Sequence, residues 1–127
     1  MSGGLAIGIG CRLNCTGEAI AALVADALGT LPRASAALFT IADKQGQAGP
    51  AAAARLLGLP LRYLPREALV AVISRVETRS ARAEAQFGVA SVAEAAALAG
   101  AGPEARLIVR RIAGGGATCA IAGAVAP

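Results

Sequence analysis

Two kinds of apolar pattern alternate along the chain. Leu5 to Ile9, Ala36-Ala37-Leu38-Phe39-Thr40-Ile41, Leu61-Arg62-Tyr63-Leu64, Arg106 to Ile112 and Thr118 to Ala122 are short runs of strand length. The first two are apolar enough to be covered on both faces, as in a parallel sheet. Between the runs, apolar positions recur at helical spacing. Ile20, Leu23, Val24, Ala27 and Leu28 mark one face of a helix capped by Thr16 and ended by Gly29. Pro50 at a first helical position and Gly58 just past the end bracket a second helix, with Pro60 confirming the stop. Pro65 opens a third containing Leu69 and Val70, and Ser80 starts a short one that Gly88 terminates. Ser91-Val92-Ala93-Glu94 is a complete capping box ahead of an alanine-rich helix ending near Gly100.

The order β-α-β-α-β-α-(α)-α-β-β predicts an α/β fold in which a three-layer α/β/α domain holds a mostly parallel sheet. Gly114-Gly115-Gly116 reads as a hairpin loop, which makes one strand of the C-terminal hairpin antiparallel. No linker divides the chain, so residues 1–127 are expected to form one domain.

Composition narrows the function classes. The hydrophobic fraction is 56%, much of it alanine, and charged residues are only 16%, which implies a large core. Charges interrupt every long apolar run and no basic segment leads into an apolar one at the N-terminus, so a cytoplasmic protein without a membrane partner is expected. Three cysteines, Cys11, Cys15 and Cys119, read as free thiols. The chain has no histidine, the commonest general base and metal ligand, so neither a protein-bound metal nor a cofactor is expected. The net charge of +4 comes from eleven arginines and one lysine against eight acids. With aromatics at 2% and the arginines scattered, nucleic acid is not the expected partner, and a small polyanion fits better.

The chemistry concentrates where the first apolar run stops, at Gly8-Ile9-Gly10-Cys11-Arg12-Leu13-Asn14-Cys15-Thr16-Gly17-Glu18. A turn there lies at the carboxyl end of a strand, where open α/β sheets bind ligands, and the next helix presents unpaired N–H groups. It is no nucleotide fingerprint, because the third glycine of G-x-G-x-x-G would fall at Leu13 and no G-x-x-x-x-G-K-[ST] occurs. Gly8, Gly10, Cys11, Arg12 and Thr16 are candidate ligand-binding residues; the alternative is that the glycines only make a tight strand exit. If the first two strands are parallel neighbours, the loop after Ile41 opens at the same edge and adds Asp43 and Lys44. For Lys44 the alternative is a solvated loop lysine. Glu18 complements the helix dipole. The charged stretch with Arg75, Arg79 and Arg82 is either a solvated face or a rim over the sheet end.

Taken together, Gly8-Ile9-Gly10-Cys11-Arg12, Thr40-Ile41-Ala42-Asp43-Lys44, Leu59-Pro60-Leu61, Gly88 to Leu98 and Thr118-Cys119-Ala120-Ile121-Ala122 resemble, in order, the CobE and CbiG C-terminal-domain family of cobalamin-biosynthesis proteins. The resemblance implies a part in making the corrin ring of vitamin B12. The CbiG family opens the δ-lactone of a cobalt-precorrin with release of acetaldehyde, and this chain resembles only its C-terminal portion. Corrinoid intermediates carry acetate and propionate carboxylates on an apolar macrocycle, a ligand suited to a crevice rimmed by Arg12 and Lys44. Three readings stand open: a precorrin or corrinoid binder acting as carrier or accessory to a ring-modifying enzyme; an enzyme using Cys11, Cys15, Lys44 or Asp43 on a precorrin; or a domain that docks onto other cobalamin-biosynthesis enzymes.

Overall fold

In the computed structural model, which describes residues 4–79, 85 and 91–124, the first apolar run becomes β1 (Ala6–Cys11). Thr16 Oγ1 then accepts the Ala19 N–H at 3.1 Å and caps α1 (Gly17–Leu28), which buries Ile20, Leu23, Val24, Ala27 and Leu28. β2 (Ala37–Ile41) runs through a 3-10 turn, Ala42–Lys44, into α2 (Ala48–Leu57). Pro50 is the third residue of α2 rather than its first; its missing N–H does no harm there, because N–H groups of a first turn have no intrahelical acceptor. β3 (Leu61–Leu64), α3 (Arg66–Val70) and a 3-10 turn at Ile73–Arg75 follow. After α4 (Val92–Ala101), β4 (Ala105–Gly114) and β5 (Ala117–Ala124) form the C-terminal hairpin. The short helix expected from Ser80 to Gly88, and Arg82 with it, lie outside the described residues.

The sheet order is β3-β2-β1-β5-β4. β1 pairs in parallel with β2, and β2 with β3, while β5 runs antiparallel to both β1 and β4. Among the described strands only β5 therefore runs against the rest, and the α/β/α layering follows from the alternation of faces. Ile7, Ile9, Leu38 and Ile121 join the core under α1 and α2. Ala6, Phe39, Ala120 and Ala122 face α4.

Gly8 decides how closely that second layer sits. A Cβ at Gly8 would stand 1.8 Å from the Ala93 carbonyl oxygen and 2.6 Å from the Ala97 nitrogen. The helix backbone thus lies directly on the strand, as only a glycine opposite small residues permits. Alanine supplies the other half of the fit: Val92 to Leu98 are all buried, in a helix with no solvent face along that stretch. The alanine-rich composition is the signature of this close contact. No helix among the described residues is long and apolar enough to cross a membrane.

One edge of the sheet now collects several loops. Cys11 ends β1 opposite Ala117, and Ala117 also pairs with Gly114, so the hairpin turn at Gly115-Gly116 stands beside the β1–α1 loop. The parallel β2 delivers residues 42–47 to the same edge.

Candidate functional site

The β1–α1 loop is fixed from two sides. Its Arg12 N–H donates to the Gly116 carbonyl at 3.0 Å, and the Cys15 N–H closes a turn on the Arg12 carbonyl at 3.1 Å. The Cys15 thiol donates to the Gly115 carbonyl at 3.3 Å. On the other side, the ammonium of Lys44 donates to the Cys11 carbonyl at 2.6 Å, and the Cys11 thiol donates to Gln47 Oε1 at 3.6 Å. Arg12 and Lys44 accordingly share one sheet edge, as parallel β1 and β2 require.

Between the loops lies a cleft of about 420 Å³ lined by Leu13 to Gly17 on one wall and by Gly46 to Gly49 with Ala52 on the other. The walls touch at its base: a Cβ at Gly49 would come within 2.4 Å of the Cys15 carbonyl oxygen, so a glycine is needed for this approach. Gln47, at the N-cap position of α2, makes no side-chain cap, and Ala48 and Gly49 of the first turn line the cleft. Leu13 stands 71% exposed at the mouth, and Arg12, next along the loop, is exposed. Leu13 and the first turn of α2 thus line the cleft, with Arg12 on the loop beside Leu13 and its stem near Gly116 of the hairpin turn.

The candidate residues divide. Cys11, Arg12 and Thr16 belong to the cleft or its support. Gly8 and Gly10 do not open into it: Gly8 lies under α4, and a Cβ at Gly10 would meet Thr118 Oγ1 at 2.6 Å with Val92 next nearest. Gly8 serves helix-on-strand packing, and Gly10 makes room for Thr118 on the neighbouring β5. Asp43 turns away to Arg66 at the start of α3, an exposed pair at 2.7 Å. Lys44 is no solvated loop lysine; it is 7% exposed, its ammonium drawn inward onto β1. Arg75 does not rim this edge, because its guanidinium donates to the Gly102 and Ala105 carbonyls where β4 begins, at the other end of the sheet.

The thiols are not activated. Burial pushes the Cys11 thiol up, the Lys44 ammonium opposes this and is outweighed, and neighbouring Cys15 adds to the rise. Burial likewise raises Cys15 against a lowering backbone hydrogen bond from Thr16. Cys119 is pushed up to about 12 by burial alone. All three are protonated near neutrality. Among the described residues, no group of three or more His, Cys, Asp or Glu side chains is placed to hold a metal ion.

One polar centre exceeds its expected role. Ser91 Oγ accepts the Glu94 N–H at 3.2 Å, half of the capping box, but the Glu94 carboxylate does not complete it. Fully buried, that carboxylate accepts the Glu77 and Thr78 N–H groups at 2.8 Å each, the Thr78 hydroxyl at 2.7 Å and the Arg111 N–H at 2.9 Å. It clasps the 77–78 segment, α4 and β4 together. A register irregularity between Val109 and Ile112 accompanies the bond from Arg111. Burial raises this carboxyl and the donors from Arg111, Thr78 and Glu77 lower it further, so it ends below its ordinary value. The sequence held one clue: Glu94 is the sole charge in Val92-Ala93-Glu94-Ala95-Ala96-Ala97-Leu98.

A mixed sheet between helical layers, with a cleft over the carboxyl ends of its parallel strands, defines an open α/β domain with a crevice at the strand ends, the place where such sheets bind ligands. Residues 5–122 match the family described as cobalamin synthesis G C-terminus, and the chain belongs to that family. Protein CobE of Sinorhizobium sp is 38% identical over 123 residues, covering 94% of this chain and 80% of the relative. The crystal structure of CobE, described as a protein from the cobalamin (vitamin B12) biosynthetic pathway, superposes with a TM-score of 0.89 at 35% identity, over 98% of this chain and 93% of that one. Cobalamin biosynthesis protein chiG from Agrobacterium tumefaciens str. C58 gives 0.72 at 33% identity, over 96% and 99%. This chain is a cobalamin-biosynthesis protein, with the five-stranded sheet and flanking helices of its relatives.

Proposed function

We propose that the chain binds a polycarboxylate precorrin or corrinoid intermediate in the cleft between the β1–α1 loop and the start of α2, as carrier or accessory to a ring-modifying enzyme. The observation that supports this is a cleft lined by exposed Leu13 and by the first turn of α2 without a side-chain cap, with the exposed Arg12 cation next to Leu13 on the same loop. An apolar macrocycle edged with carboxylates needs both kinds of surface. The volume is within the range of ligand sites but too small to enclose a whole corrinoid. An edge of the ring with its carboxylates fits, and the remainder stays accessible for handing on. A cysteine nucleophile acting on a precorrin is not favoured, because burial holds Cys11 and Cys15 protonated.

The test is a titration followed by absorbance. Cobyrinic acid, a corrinoid that keeps its acetate and propionate groups as free carboxylates, should bind, and cobinamide, whose corresponding groups are amides, should bind much more weakly. A hydrogen bond between an arginine and a carboxylate contributes roughly 1.5 to 3 kcal/mol, so Arg12→Ala should weaken binding about tenfold or more. Arg33→Ala, in the exposed turn before β2, should leave affinity unchanged. Equal affinity for the acid and the amide, and for both variants, would refute the reading.

A further inference from the structure

We infer that Lys44 is a positioning residue of the cleft rather than a contact for its ligand: its ammonium, folded inward onto the Cys11 carbonyl, holds the end of β1 in register with the first turn of α2. The role rests on the reading of the cleft given above; the tie itself does not. The peptide unit joining Cys11 to Arg12 is gripped at both its polar atoms, the oxygen by Lys44 Nζ at 2.6 Å and the N–H by the Gly116 carbonyl at 3.0 Å. With that plane fixed, the direction in which Arg12 and Leu13 leave the strand is fixed too.

The other end of the tie is equally defined. The Lys44 carbonyl accepts the Gln47 N–H at 3.0 Å, and Gln47 Oε1 accepts the Cys11 thiol at 3.6 Å. Lys44, Cys11 and Gln47 therefore close a ring of hydrogen bonds between the two cleft walls. Burial to 7% exposure keeps the ammonium off the cleft surface. The residue type follows from the geometry. A lysine brings a compact ammonium to this carbonyl on a thin, unbranched stem, whereas an arginine would bring a bulkier planar fork and hold the carbonyl less well. The other eleven cations of the chain are all arginines.

A direct contact and a strut differ in what salt does. Removing a cation that touches a ligand carboxylate takes one charge pair out of the binding equilibrium, and the dependence of affinity on salt flattens. Removing a strut weakens binding but leaves that dependence as it was. Lys44→Met should therefore weaken cobyrinic acid binding with an unchanged slope of log Kd against log salt concentration, whereas Arg12→Ala should weaken it and flatten the slope. In the ligand-free protein, hydrogen exchange at the Arg12 amide should speed up about tenfold in Lys44→Met while Ile7 and Ile9 keep their protection. Lys44→Arg, which keeps a donor, should restore part of the Arg12 protection, and it carries the test if the methionine variant does not fold. A flattened slope in Lys44→Met, or an Arg12 amide exchanging as in the parent, overturns the inference. Failure of the parent protein to bind cobyrinic acid would refute the ligand reading, and the exchange measurement would still decide the tie.

Discussion

Replacing Glu94 by Gln should cost this domain a large part of its stability without touching the cleft. The carboxylate is fully buried and takes two donors on each oxygen: the Glu77 and Thr78 N–H groups on Oε1, the Thr78 hydroxyl and the Arg111 N–H on Oε2. An amide keeps one acceptor oxygen. If that oxygen takes the Oε1 place, the amide NH2 faces the Arg111 N–H and leaves it unpaired; the Thr78 hydroxyl can rotate to accept. If it takes the Oε2 place, two N–H groups are orphaned. The better orientation thus leaves one buried donor unsatisfied, at about 1 to 3 kcal/mol, and weakens the remaining bonds by removing their charge, so the total is roughly 2 to 4 kcal/mol. Urea unfolding followed by circular dichroism at pH 7 measures it.

The same substitution has a pH signature. The folded carboxyl lies below its ordinary value of 4.5, so its stabilisation is fully present above that pH and is lost as pH falls through the folded value. The parent should therefore lose its advantage over Glu94→Gln progressively below about pH 4.5. A difference under about 0.5 kcal/mol at pH 7, the range of an ordinary surface substitution, would refute the clasp. A difference that is large but independent of pH would show that shape, not charge, holds it.

Other outcomes follow from single contacts. Gly8→Ala drives a methyl into the Ala93 carbonyl, where only backbone can yield; it should destabilise by about 3 kcal/mol or more, read from the urea midpoint. Ser91→Ala removes the acceptor for the Glu94 N–H and should cost about 1 kcal/mol while leaving cobyrinic acid affinity unchanged. Of the three thiols, Cys119 is buried and its thiol is raised to about 12, so a chromogenic disulfide reagent should titrate only Cys11 and Cys15 in the folded protein, and those slowly near neutrality. Fast reaction of any thiol at pH 7 would contradict the absence of activation.

What the sequence disclosed was what apolar patterning controls. The strand runs, the buried face of α1, the Thr16 cap and the antiparallel hairpin were all legible, because each depends on residues close together in the chain. The limits came where one pattern serves two partners. Gly8 and Gly10 announced a close approach without saying by what; the partner was the α4 backbone for Gly8, more than eighty residues further on, and Thr118 of β5 for Gly10. Ser91-x-x-Glu94 has capping-box spacing whether the acid turns back to its own helix or outward to Thr78 and Arg111. Nothing local distinguishes Lys44 from a solvated lysine, since its acceptor lies at Cys11, brought near by strand pairing. Arg75 reads as a rim residue until the turn at Ile73–Arg75 carries it toward the start of β4.

Residues whose partners the sequence did not show share a physical form. Lys44 and Glu94 are each a buried charge hydrogen-bonded to backbone groups, and buried Thr40 adds a neutral case by donating to the Ile9 carbonyl at 2.7 Å. The ion pairs Asp43–Arg66 and Glu77–Arg110, by contrast, are exposed, and such pairs contribute little. On the proposed reading, the cleft edge is held by charge-to-backbone bonds that salt screens poorly, and a polycarboxylate meeting exposed Arg12 would be held by attraction that salt screens well. Ionic strength would then change how tightly such a ligand is held without loosening the walls of the cleft. That separation lets salt dependence report on ligand contact alone, and so distinguishes Arg12, at the surface, from Lys44, beneath it.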